Sequence, residues 1–238
     1  MGRSIVVVQA RLGSSRLPGK VLADLAGKTV LEHVLERCRA IQGASEVCCA
    51  VPVGHLDDHV AVEAARCGVS VIRGSEADVL DRYYQAAIYC GADIVMRVTS
   101  DCPVIDPYVA AEVLRIITSG KAEYACNNMP RTWPHGLDCE AFAFEWLEKA
   151  SREASHPDER EHVTPFIRNH PAVRKANLEC PERELSAHRW TLDTAEDLQF
   201  LRALFARFPD TPDSFSYRVP LGVLEREPNL ALLNRVQH

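Results

Sequence analysis

Along the first 100 residues, apolar and polar positions follow two alternating patterns. Short runs rich in Val and Ile, typical of strands buried on both faces, are separated by stretches with apolar residues at helical spacing. Regular alternation of strand and helix predicts an α/β fold built on a doubly wound, mostly parallel sheet. The predicted strands are residues 5–9, 47–53, 69–72 and 94–98, and the predicted helices are residues 30–38, 58–67 and 78–90.

Further along the chain the periodicity weakens and turn-forming residues become frequent. Two more helices are predicted, near residues 142–154 and 158–169. From residue 189 to residue 208 the pattern predicts a short strand, a turn and a helix. A chain of 238 residues with 47% hydrophobic residues suits one α/β domain better than two, so we interpret residues 1–238 as a single domain.

Composition argues against several classes of protein. The net charge of −6 disfavours a nucleic-acid surface, for which a basic excess is expected. No apolar run approaches the roughly 20 residues of a membrane-spanning helix, so membrane insertion is not expected. The nine cysteines are odd in number and show no repeated Cys-x-x-Cys spacing, which indicates reduced thiols in a cytoplasmic protein. The tail from Phe215 onward is apolar enough to pack on the domain or to support a homodimer, and both outcomes remain open.

The most informative segment follows the first predicted strand and reads QARLGSSRLPGK, residues 9–20. Arg11, Arg16 and Lys20 lie there among small residues. Small residues let backbone N–H groups approach an anion, and the cations neutralise charge on phosphate groups. It is not a Walker loop, because its glycines are one residue too far apart and Val21 replaces the Ser or Thr that would bind magnesium. The segment predicts a phosphate-binding loop, with a solvated basic turn as the alternative.

Five blocks of sequence, in order along most of the chain, resemble one branch of the CMP-sugar synthetase superfamily. That superfamily includes the CMP-Kdo and CMP-sialic acid synthetases, and the branch is the cytidylyltransferases called spore coat polysaccharide biosynthesis protein F. The blocks are QARLGSSRLPGK at 9–20, RGSEADVLDRYY at 73–84, RVTSDCP at 97–103, REHVTP at 160–165 and RWTLDTAEDL at 189–198.

The resemblance implies a nucleotide-diphosphosugar-transferase-like, Rossmann-like fold, CTP as donor and Mg²⁺ as cofactor. The expected reaction is transfer of CMP from CTP to a sugar, sugar acid or related acceptor, with release of pyrophosphate, for surface polysaccharide. Residues 124–181 would form a small subregion that covers the acceptor. A glycosyltransferase of related fold and a non-catalytic nucleotide-binding regulator are the alternatives. The first usually has an Asp-x-Asp pair after a strand, and the sequence after Asp101 lacks the second aspartate.

The nucleotide contacts implied by the resemblance centre on the predicted loop. Lys20 would stabilise the charge that develops on departing pyrophosphate, and Arg73 would lie against the cytosine. Asp81 and Arg82 would contact the ribose, or else pair with neighbours on their helix. The predicted nucleotide-binding residues are Gln9, Ala10, Arg11, Gly13, Ser14, Ser15, Lys20, Arg73, Asp81 and Arg82. The predicted catalytic residues are Arg11, Arg16, Lys20 and Asp101.

Two aspartates are predicted to hold the metal ion. Asp101 follows the fourth predicted strand and Asp193 lies in the last block, and carboxylate oxygens suit Mg²⁺. Each has an alternative role as a helix or turn cap, which for Asp193 would use the same oxygens. Some sialic acid synthetases carry another aspartate two residues earlier, where this chain has Thr191.

The acceptor contacts are predicted from the polar and titratable groups of the irregular region. Asp138, Glu140 and His162 are the candidates. His162 is also a candidate general base, because the pKa of a histidine lies near neutrality, and a structural partner is the alternative.

Overall fold

The strands and helices predicted for the first 100 residues occur in the predicted order in the structure, a computed structural model that describes residues 2–209 and 215–234. The strands are β1 (Ser4–Gln9), β2 (Asp24–Leu25), β3 (Lys28–Thr29), β4 (Glu46–Pro52), β5 (Ser70–Gly74), β6 (Ile94–Thr99), β7 (Tyr124–Cys126), β8 (Glu140–Ala143) and β9 (Lys175–Asn177). The helices are α1 (Val30–Arg39), α2 (Asp58–Arg66), α3 (Val79–Cys90), α4 (Pro107–Thr118), α5 (Phe144–Glu153), α6 (Pro157–His162), α7 (Pro165–Asn169), α8 (Ala195–Phe205) and α9 (Arg218–Arg226). Within the described ranges, no helix has the length and apolar character needed to span a membrane.

Seven of the strands form one sheet in the order β5-β4-β1-β6-β8-β7-β9. β8 is antiparallel to both neighbours, and the other six strands run in one direction. The order reverses beside β1, because β4 and β5 lie on one side of it and β6 on the other. Sheets of this kind bind ligands beyond the carboxyl ends of the strands at such a reversal. The predicted doubly wound, mostly parallel sheet is confirmed, and its topology points to the loops after β1 and β6.

Apolar residues cover both faces of the central strand. Val6 and Val8 belong to one buried cluster, with residues of α1 and α4, whereas Ile5 and Val7 belong to another, with residues of α3 and α5. A strand between two helical layers must be apolar at every position, which explains the uninterrupted run at the N-terminus.

Residues 124–181 join the main sheet through β7, β8 and β9. The helix predicted from residue 142 begins later, at Phe144, because β8 takes residues 140–143 and pairs with both β6 and β7. A four-residue strand directly before a helix is too short to give a separate periodic signal, so the two elements merge in the sequence pattern.

The helix predicted over residues 158–169 is two helices, α6 and α7. The break lies at Val163, whose φ is 69° and whose flanking groups are joined by a hydrogen bond from Thr164 N to His162 O. Pro165 follows at the first position of α7, where its missing N–H costs nothing. A β-branched residue at positive φ is strained, so this turn is held by its surroundings: Val163 is fully buried and Thr164 is hydrogen-bonded.

The strand predicted near residue 189 is reduced to one isolated bridge, between His135 and Arg189. The helix that follows is α8, as expected. Apolar residues of the tail pack on α8, since Val223 and Leu224 share a buried cluster with Leu201 and Leu204. This packing accounts for part of the apolar tail, and a homodimer remains a prediction.

Candidate active site

A cavity of about 350 Å³ opens beyond the carboxyl ends of β1 and β6, at the reversal of strand order. The loop after β1 forms one wall, and the residues after β6 form the floor. The N-terminal turns of α3, the end of α6 and the segment before α8 close the remaining sides. It is lined by Gln9, Ala10, Arg11, Gly13, Ser14, Ser15, Arg16, Lys20, Val21, Val79, Arg82, Thr99, Ser100, Asp101, Glu161, His162 and Asp193. We call this cavity the loop pocket.

The loop after β1 turns back on itself and fixes the direction of Lys20. Gly19 N donates a hydrogen bond to Leu12 O, and Gly19 has a φ of 72°, which glycine adopts without steric cost. Leu12 N in turn donates to Asp57 Oδ1 at 2.6 Å, which anchors the loop to the start of α2. Lys20 follows as the first residue of a short 3-10 helix, and its side chain is only 13% exposed.

The Lys20 ammonium group joins the two predicted metal ligands. Lys20 Nζ lies 2.7 Å from Leu192 O, 3.0 Å from Asp193 Oδ1 and 3.2 Å from Asp101 Oδ2. These partners are 81 to 173 residues away in the chain. The fold therefore brings two carboxylates from distant parts of the chain to one cation at the floor of the loop pocket.

The other two loop cations are more exposed. Arg16 lies 3.0 Å from Asp193 Oδ1, and 63% of its side chain remains exposed. Arg11 is exposed and has no carboxylate partner among the described residues. Both guanidinium groups are thus available to an anion in the cavity.

Asp193 is held by cations from two sides. Its Oδ2 accepts a hydrogen bond from Arg189 at 2.9 Å, while Oδ1 faces Lys20 and Arg16. Burial acts to raise the pKa of Asp193, but the hydrogen bonds from Arg189 and Lys20 and the positive charges hold it below its ordinary value. Asp193 is therefore a carboxylate, not a carboxylic acid, at neutral pH.

The helix-capping alternative for Asp193 is not what the structure contains. Thr194 is the N-cap of α8: its hydroxyl accepts from Asp197 N, and the Asp197 carboxylate accepts from Thr194 N. This reciprocal capping box satisfies the first turn of the helix and leaves the Asp193 carboxylate directed into the loop pocket.

Asp101 is likewise free of a capping role. The next helix, α4, is capped by Asp106, whose carboxylate accepts from Tyr108 N and Val109 N. Asp101 Oδ1 accepts the Thr99 hydroxyl at 2.5 Å, and its backbone O accepts Leu192 N at 2.8 Å. The latter bond ties the end of β6 to the segment that carries Asp193.

Arg82 is buried at 1% exposure, yet it reaches the wall of the loop pocket. It donates to the backbone oxygens of Ser75 and Glu76, and its Nε has no hydrogen-bond partner. Burial and the nearby charge of Arg11 lower the pKa of Arg82. A Cβ at Gly74 would lie 2.8 Å from Arg82 Cγ, so glycine makes room for this side chain.

Two predicted nucleotide contacts do not reach the loop pocket. Arg73 donates to Pro52 O at 2.8 Å and Gly54 O at 3.1 Å and pairs with Asp58, so it secures the turn after β4. Asp81 lies on α3 outside the lining and accepts a hydrogen bond from Gln85 on the same helix.

Glu140 is not placed to contact an acceptor, contrary to the prediction. It is 3% exposed on β8, and Arg97, Tyr124 and Thr164 all donate to it, at 2.6, 2.5 and 2.7 Å. Burial acts to raise the pKa of Glu140, but the Arg97 charge and these hydrogen bonds hold it below its ordinary value. Its oxygens are fully used within the core.

The other two acceptor candidates have different surroundings. Asp138 lies outside the lining of the loop pocket and pairs with Arg131 at 2.5 Å. His162 lines the pocket, is 57% exposed and lies 3.5 Å from Asp158. Of the three, His162 alone has access to a ligand in the loop pocket.

Sequence reasoning missed several residues of the site. Thr99, Ser100 and Glu161 line it, and each lies next to a predicted residue or within the same block. Arg189 was also missed, although it begins the last block. It donates to both Asp193 and Asp197, so it orients the segment from behind.

Comparison with known proteins identifies the family of this chain. The family model described as cytidylyltransferase matches residues 5–227. The spore coat polysaccharide biosynthesis protein SpsF of Bacillus subtilis strain 168 is 31% identical over 238 residues, which cover 97% of this chain and 98% of that protein.

Solved structures give the same picture. A cytidylyltransferase from Leptospira borgpetersenii serovar Hardjo-bovis is 31% identical, with a TM-score of 0.91 over 100% of both chains. CMP:2-keto-3-deoxy-manno-octonic acid synthetase, solved in complex with CTP, shares the fold, with a TM-score of 0.65 and 22% identity over 86% of this chain and 98% of that one. None of these matches is a glycosyltransferase.

The predicted resemblance and the predicted class of enzyme are both confirmed. Cytidylyl transfer, which joins the CMP part of CTP to an acceptor, is the activity that gives the matched family its name. The loop pocket brings the cations Arg11, Arg16 and Lys20 together with the carboxylates of Asp101 and Asp193. The chain therefore belongs to the cytidylyltransferase family of nucleotidyltransferases.

Proposed function

We propose that the loop pocket binds CTP with Mg²⁺ and transfers CMP to a sugar-like acceptor for surface polysaccharide. The observation that carries the proposal is the meeting of Lys20 with Asp101 and Asp193 beside a loop that presents two further arginines. The acceptor class is supported by the name of the relative SpsF.

The triphosphate is assigned to the loop after β1. Arg11 and Arg16 present exposed guanidinium groups, and the small residues Gly13, Ser14 and Ser15 line the same wall. Guanidinium groups bind phosphate oxygens with paired N–H donors, and small side chains let the backbone N–H groups approach. A protein of net charge −6 thus concentrates positive charge where a triphosphate would lie.

The donor set fits a divalent cation. Asp101 Oδ2 and Asp193 Oδ1 already converge on one positive group, the Lys20 ammonium, and hard oxygen ligands are those that Mg²⁺ prefers. Asp101 and Asp193 would hold the ion. When bound, it supplies charge neutralisation at the phosphate oxygens.

The chemistry needs little covalent help from the protein. The acceptor hydroxyl oxygen forms a bond to the α-phosphorus, and the bond between that phosphorus and the bridging oxygen breaks, so that the electron pair leaves on pyrophosphate. Lys20 and Arg16 neutralise the charge that develops on the leaving group. His162, at the exposed end of α6, takes the hydroxyl proton.

The acceptor is assigned to the side of the pocket that residues 124–181 form. That segment contributes Glu161 and His162 to the lining, opposite the loop after β1. We place the reaction in the cytoplasm, because all nine cysteines are free thiols and all except Cys67 are buried.

Pyrophosphate release tests the proposal. Each of CTP, UTP, ATP and GTP would be combined with Mg²⁺ and a panel of sugars, sugar acids and phosphonates, with calorimetric binding of the triphosphates alongside. Release from CTP with one acceptor is expected. Failure of CTP to bind would overturn the proposal.

The metal assignment has its own variant. Asp101→Asn removes one anionic ligand, so Mg²⁺-dependent turnover should fall by about 100-fold. Asp24→Asn, at the exposed position of strand β2, is the matched control and should behave as the parent protein. Normal metal dependence of Asp101→Asn would give Asp101 a purely structural role.

A further inference from the structure

A second cavity, of about 530 Å³, lies near the other edge of the sheet and has no part in the proposal above. We call it the edge pocket. It is lined by Tyr124, Cys126, Met129, Arg168, Asn169, Lys175, Ala176 and Asn177.

The edge pocket carries an excess of positive charge. None of its lining residues is acidic, whereas Arg168 and Lys175 are cations. Within the described residues, neither has a carboxylate partner; Arg168 contacts Met129 Sδ at 3.6 Å. Two cations that face one cavity without counter-charges repel each other. An anion bound in the cavity would offset that electrostatic repulsion.

The rest of the lining suits a small polar ligand better than a second protein strand. Tyr124, Cys126 and Ala176 provide a largely apolar floor, of which Tyr124 and Cys126 are buried. Asn177 is fixed by bonds to Pro130 O and from Met129 N, and so keeps the rim in place. A rigid floor with cations at the rim is the usual form of a site for an organic anion.

The strands that line the edge pocket, β7 and β9, run in the same direction as β6, which ends at the loop pocket. β6, β7 and β9 run parallel, and the register places Arg97 opposite Glu140, Glu140 opposite Cys126, and Cys126 opposite Asn177. β6 and β7 are separated by one strand, which corresponds to roughly 10 Å. That distance is the smallest lateral separation between strands that line the two pockets.

One short segment lines both cavities. His162 ends α6 in the loop pocket, and Arg168 lies on α7 in the edge pocket, six residues later. Between them, Thr164 donates to Glu140, which also accepts from Tyr124 at the floor of the edge pocket. The buried Glu140 group therefore fixes the two pockets relative to each other.

We propose that the edge pocket binds the anionic group of the acceptor, a carboxylate or a phosphate, with Arg168 and Lys175 as its counter-charges. This inference rests on the proposed function. Because the two cavities share no lining residue, such an acceptor must carry its anionic group several bonds from the attacking hydroxyl. A hexuronic acid and a hexose 6-phosphate have that arrangement.

Direct binding tests the charge requirement. Glucuronate, glucose 6-phosphate and neutral glucose would each be titrated by calorimetry into the full chain saturated with a non-hydrolysable CTP analogue. At least one of the anions should bind at least tenfold more tightly than glucose, and Arg168→Gln/Lys175→Gln should remove that preference. The two anions distinguish a carboxylate site from a phosphate site.

The matched control is Arg152→Gln/Lys121→Gln, which removes the same charges from exposed positions elsewhere. It should retain the preference for anions. Lys175→Glu is a second variant at an exposed position and should abolish anion binding while the protein stays folded. Equal binding of glucose and both anions, or a preference that survives in Arg168→Gln/Lys175→Gln, would overturn the inference.

Turnover separates this inference from the proposed function. With the acceptor that supports pyrophosphate release, Arg168→Gln/Lys175→Gln should raise KM for the acceptor about tenfold and leave KM for CTP unchanged. An unchanged KM for the acceptor would overturn the inference while the cytidylyl transfer stands. Absence of CTP binding would instead remove the proposed function, whatever the edge pocket binds.

Discussion

Two networks of carboxylates and cations lie at the same edge of the sheet and differ in what surrounds them. In the loop pocket, Lys20 joins Asp101 and Asp193 at the floor of an open cavity, with the side chains of the aspartates 27% and 15% exposed. In the core, Arg97 pairs with Glu140, whose side chain is 4% exposed. The sequence predicted ligand contacts for Lys20, Asp101 and Asp193 and also for Glu140, but only the first three line the loop pocket.

The difference lies in how completely each carboxylate is satisfied. Three donors, from Arg97, Tyr124 and Thr164, saturate Glu140 inside the protein. In the loop pocket, by contrast, Lys20 and Arg16 border a cavity that can admit further charge. A buried, saturated network fixes neighbouring elements, whereas one that borders a cavity can exchange partners with a ligand.

The largest expected effect comes from removing the cation of the loop pocket. Lys20→Ala should lower kcat by about 100- to 1,000-fold, because a preorganised charge next to the leaving group is lost. Pyrophosphate release under saturating CTP measures it. Lys28→Ala, which removes a surface pair with Glu36, should retain full turnover. Equal turnover of the two variants would contradict the proposed role of Lys20.

Breaking the buried network should affect stability instead. Glu140→Gln leaves Arg97 without a counter-charge, so the free energy of unfolding should fall by about 3 kcal/mol. Urea unfolding measures the loss, and kcat per folded molecule should stay the same. Glu153→Gln, at an exposed position of α5, is the control. A large loss of kcat with unchanged stability would instead show that Glu140 acts in the active site.

The stability difference should depend on pH in a defined direction. The pKa of Glu140 is lowered in the folded state, so its contribution is present above the ordinary value of 4.5 and is lost as pH falls through the folded pKa. The gap between Glu140→Gln and the parent protein should therefore be full near neutral pH and shrink below pH 4.5. Unfolding curves over that range measure it, and a gap that grows on acidification would contradict the assignment.

A smaller effect is expected behind the loop pocket. Arg189→Lys loses the planar fork of Nε and Nη2 donors that holds Asp193 and Asp197, so the Mg²⁺ concentration for half-maximal activity should rise about tenfold. KM for CTP should change little. That result would distinguish a misplaced Asp193 carboxylate from a general disruption of the loop pocket. Arg183→Lys, in an exposed pair with Glu179, is the control. Unchanged metal dependence would mean that Arg189 fixes the segment before α8 but does not position Asp193 for the metal ion.

The smallest effect is expected at Arg73. Its guanidinium group is engaged by Pro52, Gly54 and Asp58 outside the cavity, so Arg73→Gln should leave KM for CTP within about twofold. Arg11→Gln should raise it about tenfold, because that exposed guanidinium lines the pocket without a carboxylate partner in the described ranges. If Arg73→Gln has the larger effect, the base contact predicted from sequence is restored.

The sequence alone determined the strands and helices of the first 100 residues and the loop after β1. Strand and helix alternation is a local property, since it depends on which faces of each short segment are apolar, and it predicted the doubly wound sheet. The loop residues are contiguous, so Arg11, Arg16 and Lys20 were placed together by the chain itself. The sequence blocks also indicated the family, which the comparisons confirm.

Only the tertiary structure decided which carboxylate finds which cation. Asp193 and Glu140 were both predicted from sequence to contact ligands, but Asp193 precedes a helix-capping box and faces a cavity, whereas Glu140 lies on an inner strand beside Arg97. The break at Val163 was also beyond local prediction, because a strained backbone is maintained by burial and by partners far away in the chain. The free energy of a charge depends on its partners and its solvation, and both are set by packing between distant segments.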